Sequence, residues 1–372
     1  MGYIKNNLKK VDYSLLGTVL LLFAFGLLMV YSSTAYNKEW DMMRMQLLGG
    51  CIGMFVGCIC AALMDYHWGM NRWVQVVLTV GSAMALIAVR FVGKEVNGSA
   101  RWFEIGGLQI QPSEIVKIVI IILMAALLAE FNHKLTERKW SAFLLSHLGI
   151  MAPAIILMGL IAIENLTTAI ICCAIIGGLM LIVSPQTKRL LILAGIGAVA
   201  LVLIFIWGGE GYRMQRIDIW LHPEMAPLGA GLQPLNSRYA LASAGLFGKG
   251  LGNSFQKLGA LPEAHNDYIF SIVCEELGIV GGLIVIILFV VLVKQMIRIA
   301  IRAQDLLGSL IVLGVALHIG FQAAINIAVV TGLMPPTGVP LPFISYGGTS
   351  AVFLMIEIWI VQCVAIRGKQ KR

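Results

Sequence analysis

Ten stretches of this chain, at 14–32, 46–64, 74–92, 114–130, 142–163, 167–184, 189–207, 268–293, 306–331 and 348–366, consist largely of Leu, Ile, Val, Ala, Met and Phe. A run of about 18 or more such residues crosses a hydrocarbon layer about 30 Å thick, and a soluble core has no room for ten of them. The hydrophobic share of 59% against 12% charged, with a mean hydropathy of +0.88, makes the same exclusion. The pattern predicts an all-α polytopic membrane protein with ten transmembrane helices in one membrane domain over 1–372. The first run is too long for a typical signal-peptide core, and no small-residue cleavage site follows it at "YSSTAYNKEW".

A net charge of +8 raises nucleic acid as a partner, but the placement of the charges points elsewhere. With the N-terminus inside, inner segments hold sixteen of the twenty-seven Lys and Arg and outer segments nine, Arg90 and Lys117 lying within helices. Five of those nine share one long loop. This asymmetry puts both termini in the cytoplasm. The seven cysteines, at 51, 58, 60, 172, 173, 274 and 363, all fall in apolar segments and are odd in number. They read as small packing residues, not as disulfides or metal ligands.

Most connections are short, but the one between the seventh and eighth helices, 208–265, is long, external and rich in Arg, Gly, Pro and aromatic residues. Connections of that length are usually functional. Within it, "GYRMQRIDIWL" has the pattern of an interfacial amphipathic helix with Arg213 and Arg216 three apart. "GLFGKGLGNSFQKLG" is a glycine-punctuated turn region carrying Lys249 and Lys257. A second outer loop, "VGKEVNGSARWFEIGGLQIQPSE", runs into the fourth helix through Pro112. The last, "LMPPTGVPLPFISYGGTS", has four prolines, three glycines and no charge; such backbone at membrane depth needs protein or a cavity around it.

Each ionisable side chain within a span costs about 2.5–3.5 kcal/mol on insertion scales. Glu114 and Lys117, three apart, can pair with each other, either as a structural clamp or as part of a substrate cavity. Glu275 and Glu276, two turns into the eighth helix, fit a structural or cavity-shaping role, with Arg90, Lys117 or a helix-terminal backbone group as partner. Their depth sets them apart from a polar head group. His318, Gln322 and Asn326 form a stripe that interhelical hydrogen bonds explain. Glu357 has no local partner in the sequence.

Asp267 differs in lying where the long loop re-enters the membrane, beside His265 and Glu263. It, Asn266 or His265 would each serve as a helix cap. The same position suits a general base, which must be reachable by a polar substrate and yet be partly desolvated.

Three segments, "NGSARWFEIGGLQIQPSEIVK", "GLFGKGLGNSFQKLGALPEAHNDYIFSIVCEELG" and "PPTGVPLPFISYGGTS", resemble the signature regions of the SEDS family (shape, elongation, division and sporulation) of bacterial peptidoglycan glycosyltransferases. The resemblance covers nearly the whole chain in order. It implies polymerisation of lipid II outside the cytoplasmic membrane, beside a class B penicillin-binding protein. It places the family's essential aspartate on Asp267, its Glu/Lys pair on Glu114 and Lys117, and its loop tryptophan on Trp102 with Arg101 adjacent. Ser345, Tyr346 and Gly347 fall in its third signature. "GLGNSFQK" is more similar to the FtsW and SpoVE branch than to the RodA branch. Two positions depart from the family: "ENLTTA" has Asn165 where an acid is usual, with Glu164 beside it, and Asn266 replaces a Thr.

The implied reaction frees a proton and a lipid pyrophosphate. Asp267 would take the proton, and Arg101, Arg213, Arg216, Lys249 and Lys257 are the cations available for the phosphates. No His/Asp/Glu cluster calls for a resident metal, which leaves a divalent cation on the pyrophosphate as an open option. Two other readings fit an apolar bundle with internal charges. One is a lipid II flippase, which would be expected to show internal repeats that this chain lacks. The other is a non-catalytic scaffold.

Overall fold

The computed structural model describes residues 10–35, 40–96, 99–105, 108–136, 139–195, 212–258 and 261–368. Among these, eight helices are long and apolar enough to cross a membrane. They are α1 (Tyr13–Thr34), α2 (Trp40–Leu63), α3 (Arg72–Val92), α5 (Trp140–Glu164), α6 (Leu166–Val183), α9 (Ile269–Ile301), α10 (Leu306–Val330) and α11 (Gly348–Gly368). A further helix of 20 residues, α4 (Pro112–Phe131), stands among them. These elements coincide with nine of the ten expected runs. The remaining one, 189–207, is helical to residue 195 and lies outside the described residues beyond that. Two short helices, α7 (Tyr212–Leu221) and α8 (Leu232–Ala242), belong to the long loop.

Helix starts follow from capping chemistry. Asp12, Asn71 and Asp305 accept backbone N–H bonds at the starts of α1, α3 and α10. Pro112 opens α4, where its missing N–H costs nothing. Asn165, the departure from the family pattern, caps α6 by accepting from the Thr168 N–H at 3.1 Å. Asn and Asp are equivalent caps, so this position keeps its local structural job without the charge.

α4 is the hub. Fifteen of its twenty residues are buried, and it packs against α3, α5, α6 and α10. α2 and α11 approach closely along Gly49, Gly53 and Gly57: a Cβ at Gly53 would lie 2.5 Å from the Val352 carbonyl oxygen. Small residues four apart let helix backbones meet where no water-driven collapse is available. At the end carrying the termini, Gln362 of α11 exchanges two hydrogen bonds with the Asp12 backbone, 2.8 and 2.9 Å.

Two features depart from the ten-helix expectation. The second outer loop forms a three-stranded antiparallel sheet, β1 (Lys94–Val96), β2 (Ser99–Ile105) and β3 (Leu108–Ile110), in the order β1-β2-β3. α9 is 33 residues long and is broken at Gly278, where φ is 75°. Glu276, just before the break, accepts from the Ser32 hydroxyl at 2.7 Å. Ser32 lies two residues from the end of α1, so Glu275 and Glu276 sit near the rim of the bundle and not deep within it.

Candidate active site

Asp267 lies in the turns leading into α9, at the end of the bundle opposite the termini. It is not the cap of that helix; Tyr268 holds that place, with no side-chain capping bond. The Asp267 side chain is half-buried, and among the described residues no group donates to its carboxylate. Gly338 crosses beneath it, so close that a Cβ there would lie 3.3 Å from Asp267 Oδ2. Burial, and next the negative charge of Glu263, push the Asp267 carboxyl from 3.8 up to about 6. A carboxylate free of donors, with a pKa near neutrality and a path to solvent, has the properties of a general base.

The surrounding loops are fixed by hydrogen bonds from residues far away in sequence. Asn326 of α10, 1% exposed, donates to both the Asp267 carbonyl and the Val339 carbonyl, each at 2.7 Å. Ser345 donates from its hydroxyl to the Asn266 carbonyl and accepts from the Leu341 N–H, both at 2.7 Å. The Tyr346 N–H reaches the His265 carbonyl at 2.9 Å, and the two rings meet edge to face. Gly347 starts α11, its carbonyl accepting from the Ala351 N–H. The third signature region thus braces the segment that carries Asp267. Glu263 holds the left-handed conformation, φ 54°, while Asn266 donates to its carbonyl at 2.9 Å and to its carboxylate at 2.6 Å.

Beneath this loop lies a balanced set of charges. Lys117 pairs with Glu114 at 2.8 Å and donates to Gln322 Oε1 at 3.2 Å. Gln322 gives its amide N–H to the Pro340 carbonyl, which fixes its oxygen toward Lys117 and toward His318 Nε2 at 2.9 Å. His318 Nδ1 meets Glu357 at 2.8 Å, the partner that the sequence alone does not supply. Both ring nitrogens face oxygen atoms, so each polar side chain of this buried cluster has a partner within it. A small cavity of about 10 Å³, lined by Gln46, Gln322, Ser345, Tyr346 and Ser350 among others, lies between the cluster and the loop. A larger apolar cavity of about 150 Å³ lies beside Tyr66 and Trp359, toward the termini and away from Asp267.

The remaining candidates fall in different places. Glu275 pairs with Lys249 at 2.6 Å and Glu276 with Lys257 at 2.7 Å, so their partners are these loop lysines and not Arg90 or Lys117. Trp102 is half-buried in β2, opposite Lys94. The side chains of Arg101, Arg213, Arg216 and Glu164 lie outside the described residues. Among the described residues no group of three His, Cys, Asp or Glu side chains is placed to hold a metal ion. Gln322 and Asn326 are the site residues that the sequence points to least. Their only signal is the spacing of four that they share with His318.

A helical bundle with a half-buried, raised carboxyl at one face and a buried cluster of paired polar groups beneath it defines an integral membrane protein with a polar candidate site. The model of the FtsW/RodA/SpoVE cell cycle proteins matches residues 12–370, and the chain belongs to that family. A probable peptidoglycan glycosyltransferase FtsW from Trichlorobacter lovleyi is 35% identical, covering 95% of this chain and 93% of its own. The stage V sporulation protein E of Bacillus subtilis is 34% identical, covering 94% and 95%. The fold is shared with a chain of a peptidoglycan synthase complex studied for its coordination of polymerization and crosslinking: TM-score 0.80 at 24% identity, covering 97% of this chain and 99% of that one.

Proposed function

We propose that this chain is a peptidoglycan glycosyltransferase that polymerises lipid II at the outer face of the cytoplasmic membrane, with Asp267 as general base. In the reaction, the acceptor sugar hydroxyl gives its proton to Asp267 as its oxygen bonds the anomeric carbon of the donor. The bond from that carbon to the pyrophosphate breaks, and the lipid pyrophosphate leaves with the electron pair. Base assistance of this kind contributes about 10²–10⁴-fold. The observation that carries the reading is the half-buried Asp267 carboxylate, free of donors among the described residues and held through its own backbone by Asn326. The excess of Lys and Arg on the segments of the opposite face supports an extracytoplasmic site.

Lys249 and Lys257 hold Glu275 and Glu276, which suits them to fixing the loop. The developing pyrophosphate charge then falls to Arg101, Arg213 and Arg216, whose guanidinium groups match phosphate oxygens. Trp102 and the buried Glu114–Lys117 pair remain candidates for the substrate site. A class B penicillin-binding protein, which crosslinks the strands, is the partner that fits a glycan polymerase. The FtsW/SpoVE type is favoured by "GLGNSFQK".

The deciding experiment is polymerisation of lipid II by purified protein with its cognate transpeptidase in detergent, where a flippase has no sides to work between. Asp267→Ala should bind lipid II and make no glycan. A variant that polymerises at the wild-type rate would remove the general-base assignment.

A further inference from the structure

The stretch 245–258 of the long loop lies in the break of α9. In an unbroken helix the N–H groups of Ile279 and Val280 would bond the carbonyls of Glu275 and Glu276. Here they donate instead to the carbonyls of Gly245 and Leu246, at 3.0 and 3.2 Å. The two freed carbonyls accept from the N–H groups of Lys249 and Gly250, at 3.0 and 2.9 Å. Four bonds to the loop thus replace the two that the helix lost. The chains touch at two glycines: a Cβ on Gly278 would lie 2.1 Å from the Leu246 oxygen, and one on Gly248 2.2 Å from the Glu276 oxygen.

The side chains complete the splint. Besides Lys249, Glu275 accepts from the Ser254 hydroxyl and the N–H groups of Phe255 and Gln256. Glu276 accepts from Lys257, Ser32 and the Ser254 N–H. Both lysines of the stretch are therefore neutralised, and their glutamate partners are fully buried. The large apolar side chains of the stretch all point outward, Leu246, Phe247 (78% exposed), Leu251, Phe255 (66% exposed) and Leu258, with Asn253 and the partly exposed, paired Lys249 the polar side chains beside them. The outward face is continuous with exposed Ile279, Leu283, Ile284 and Ile287 on the second part of α9.

A loop built for water keeps its charges outside and its phenylalanines inside. Irregular backbone survives next to hydrocarbon only when its polar groups are bonded within the protein. We propose that residues 245–258 form a re-entrant lip whose Leu246, Phe247, Leu251, Phe255 and Leu258 side chains lie in the bilayer leaflet on the Asp267 side. The level fits, since Glu276 meets Ser32 near the end of α1. The lip anchors the loop that leads into Asp267, and it does so whether or not the chain polymerises glycan.

The test uses the full chain, one copy per lipid nanodisc, with no partner protein present. Phe247→Cys, Phe255→Cys and, as a water-side control, Glu224→Cys are reacted with a charged, membrane-impermeant maleimide, and wild type gives the background of its native cysteines. The reactive thiolate does not form in hydrocarbon, so both Phe variants should label at least about ten-fold more slowly than the control. Nitroxides at the same positions should collide with oxygen in preference to a water-soluble nickel chelate. Labelling as fast as Glu224→Cys, with the nitroxides reached by the chelate, would overturn the proposal and leave the face to water or to a protein partner.

Discussion

The pH dependence of polymerisation tests the role of Asp267 most directly, because its surroundings move the carboxyl to about 6. A general base works only when deprotonated. With a midpoint at 6, about a tenth of the enzyme is competent at pH 5 and about nine-tenths at pH 7, so kcat/KM should rise about ten-fold across that interval. An aspartate titrating at 3.8 would already be more than about nine-tenths ionised at pH 5, and the profile would be nearly flat. The assay is initial-rate polymerisation of lipid II from pH 4.5 to 8 in one constant-ionic-strength buffer series.

Ionisation of the substrate could mimic such a profile, and Glu263→Gln separates the two. The negative charge of Glu263 is the second cause of the raised value, after burial. Removing it should move the midpoint toward lower pH, whereas a midpoint belonging to lipid II would not move. The same shift has a stability cost. A carboxyl raised in the folded state binds its proton more tightly there than in the unfolded chain, so stability falls as pH rises from about 3.8 through about 6. Above that window the ionised group costs at most about 3 kcal/mol. Asp267→Asn should therefore melt higher than wild type at pH 7.5 while losing activity. A flat rate profile between pH 5 and 7, or a midpoint indifferent to Glu263→Gln, would refute the assignment.

Asn326→Ala leaves the Asp267 and Val339 carbonyls without their buried donor, each worth about 1–3 kcal/mol. Because the base shifts and the phosphate contacts do not, kcat should fall by about 10²-fold with little change in KM, read by steady-state kinetics. Glu276→Gln strands the buried Lys257 charge and should cost about 3–5 kcal/mol; thermal unfolding should show the double variant Glu276→Gln with Lys257→Met recovering part of that loss. Gly278→Ala should be poorly folded, seen as loss of a monodisperse peak in size-exclusion chromatography, because a Cβ would strike the Leu246 carbonyl in a conformation with φ 75°.

The spans were legible because run length alone decides whether a segment can cross hydrocarbon, and nine of the ten expected runs overlap helices, most of them to within two residues at each end. As a candidate, Asp267 was legible because an acid at a loop-to-helix boundary has few uses. What joins the site was not. Asn326 reaches Asp267 across 59 residues, and Ser345 reaches Asn266 across 79, distances over which sequence spacing carries no information. The break at Gly278 was hidden inside an apolar run, where one glycine costs only about 1 kcal/mol and usually leaves the helix intact. Only the loop that fills the gap makes the break stable, and the same loop supplies the lysines that Glu275 and Glu276 require. The small sheet escaped because its strands are only three to seven residues long, too short for a clear alternating pattern.

Lys117 shows how these connections change the meaning of a residue. Placed by sequence beside Glu114, it looks like either a clamp or part of a substrate cavity, and the structure gives it a further connection, through Gln322 to the Pro340 carbonyl of the loop under Asp267. A ligand acts on binding, so its loss should raise KM for lipid II; a brace acts on the base, so its loss should lower kcat. Lys117→Met would do both, and it would also leave Glu114 unpaired in the membrane at a cost of about 3–5 kcal/mol. Gln322→Leu removes the connection to the loop while keeping the Glu114–Lys117 pair. If the buried cluster positions Asp267, kcat for this variant should fall with KM nearly constant, and Gln322→Glu should not restore kcat, since a carboxylate cannot donate to Pro340. A rise in KM alone for Gln322→Leu would place the whole cluster on the substrate's side of the reaction and leave the loop to be held by Asn326 and Ser345.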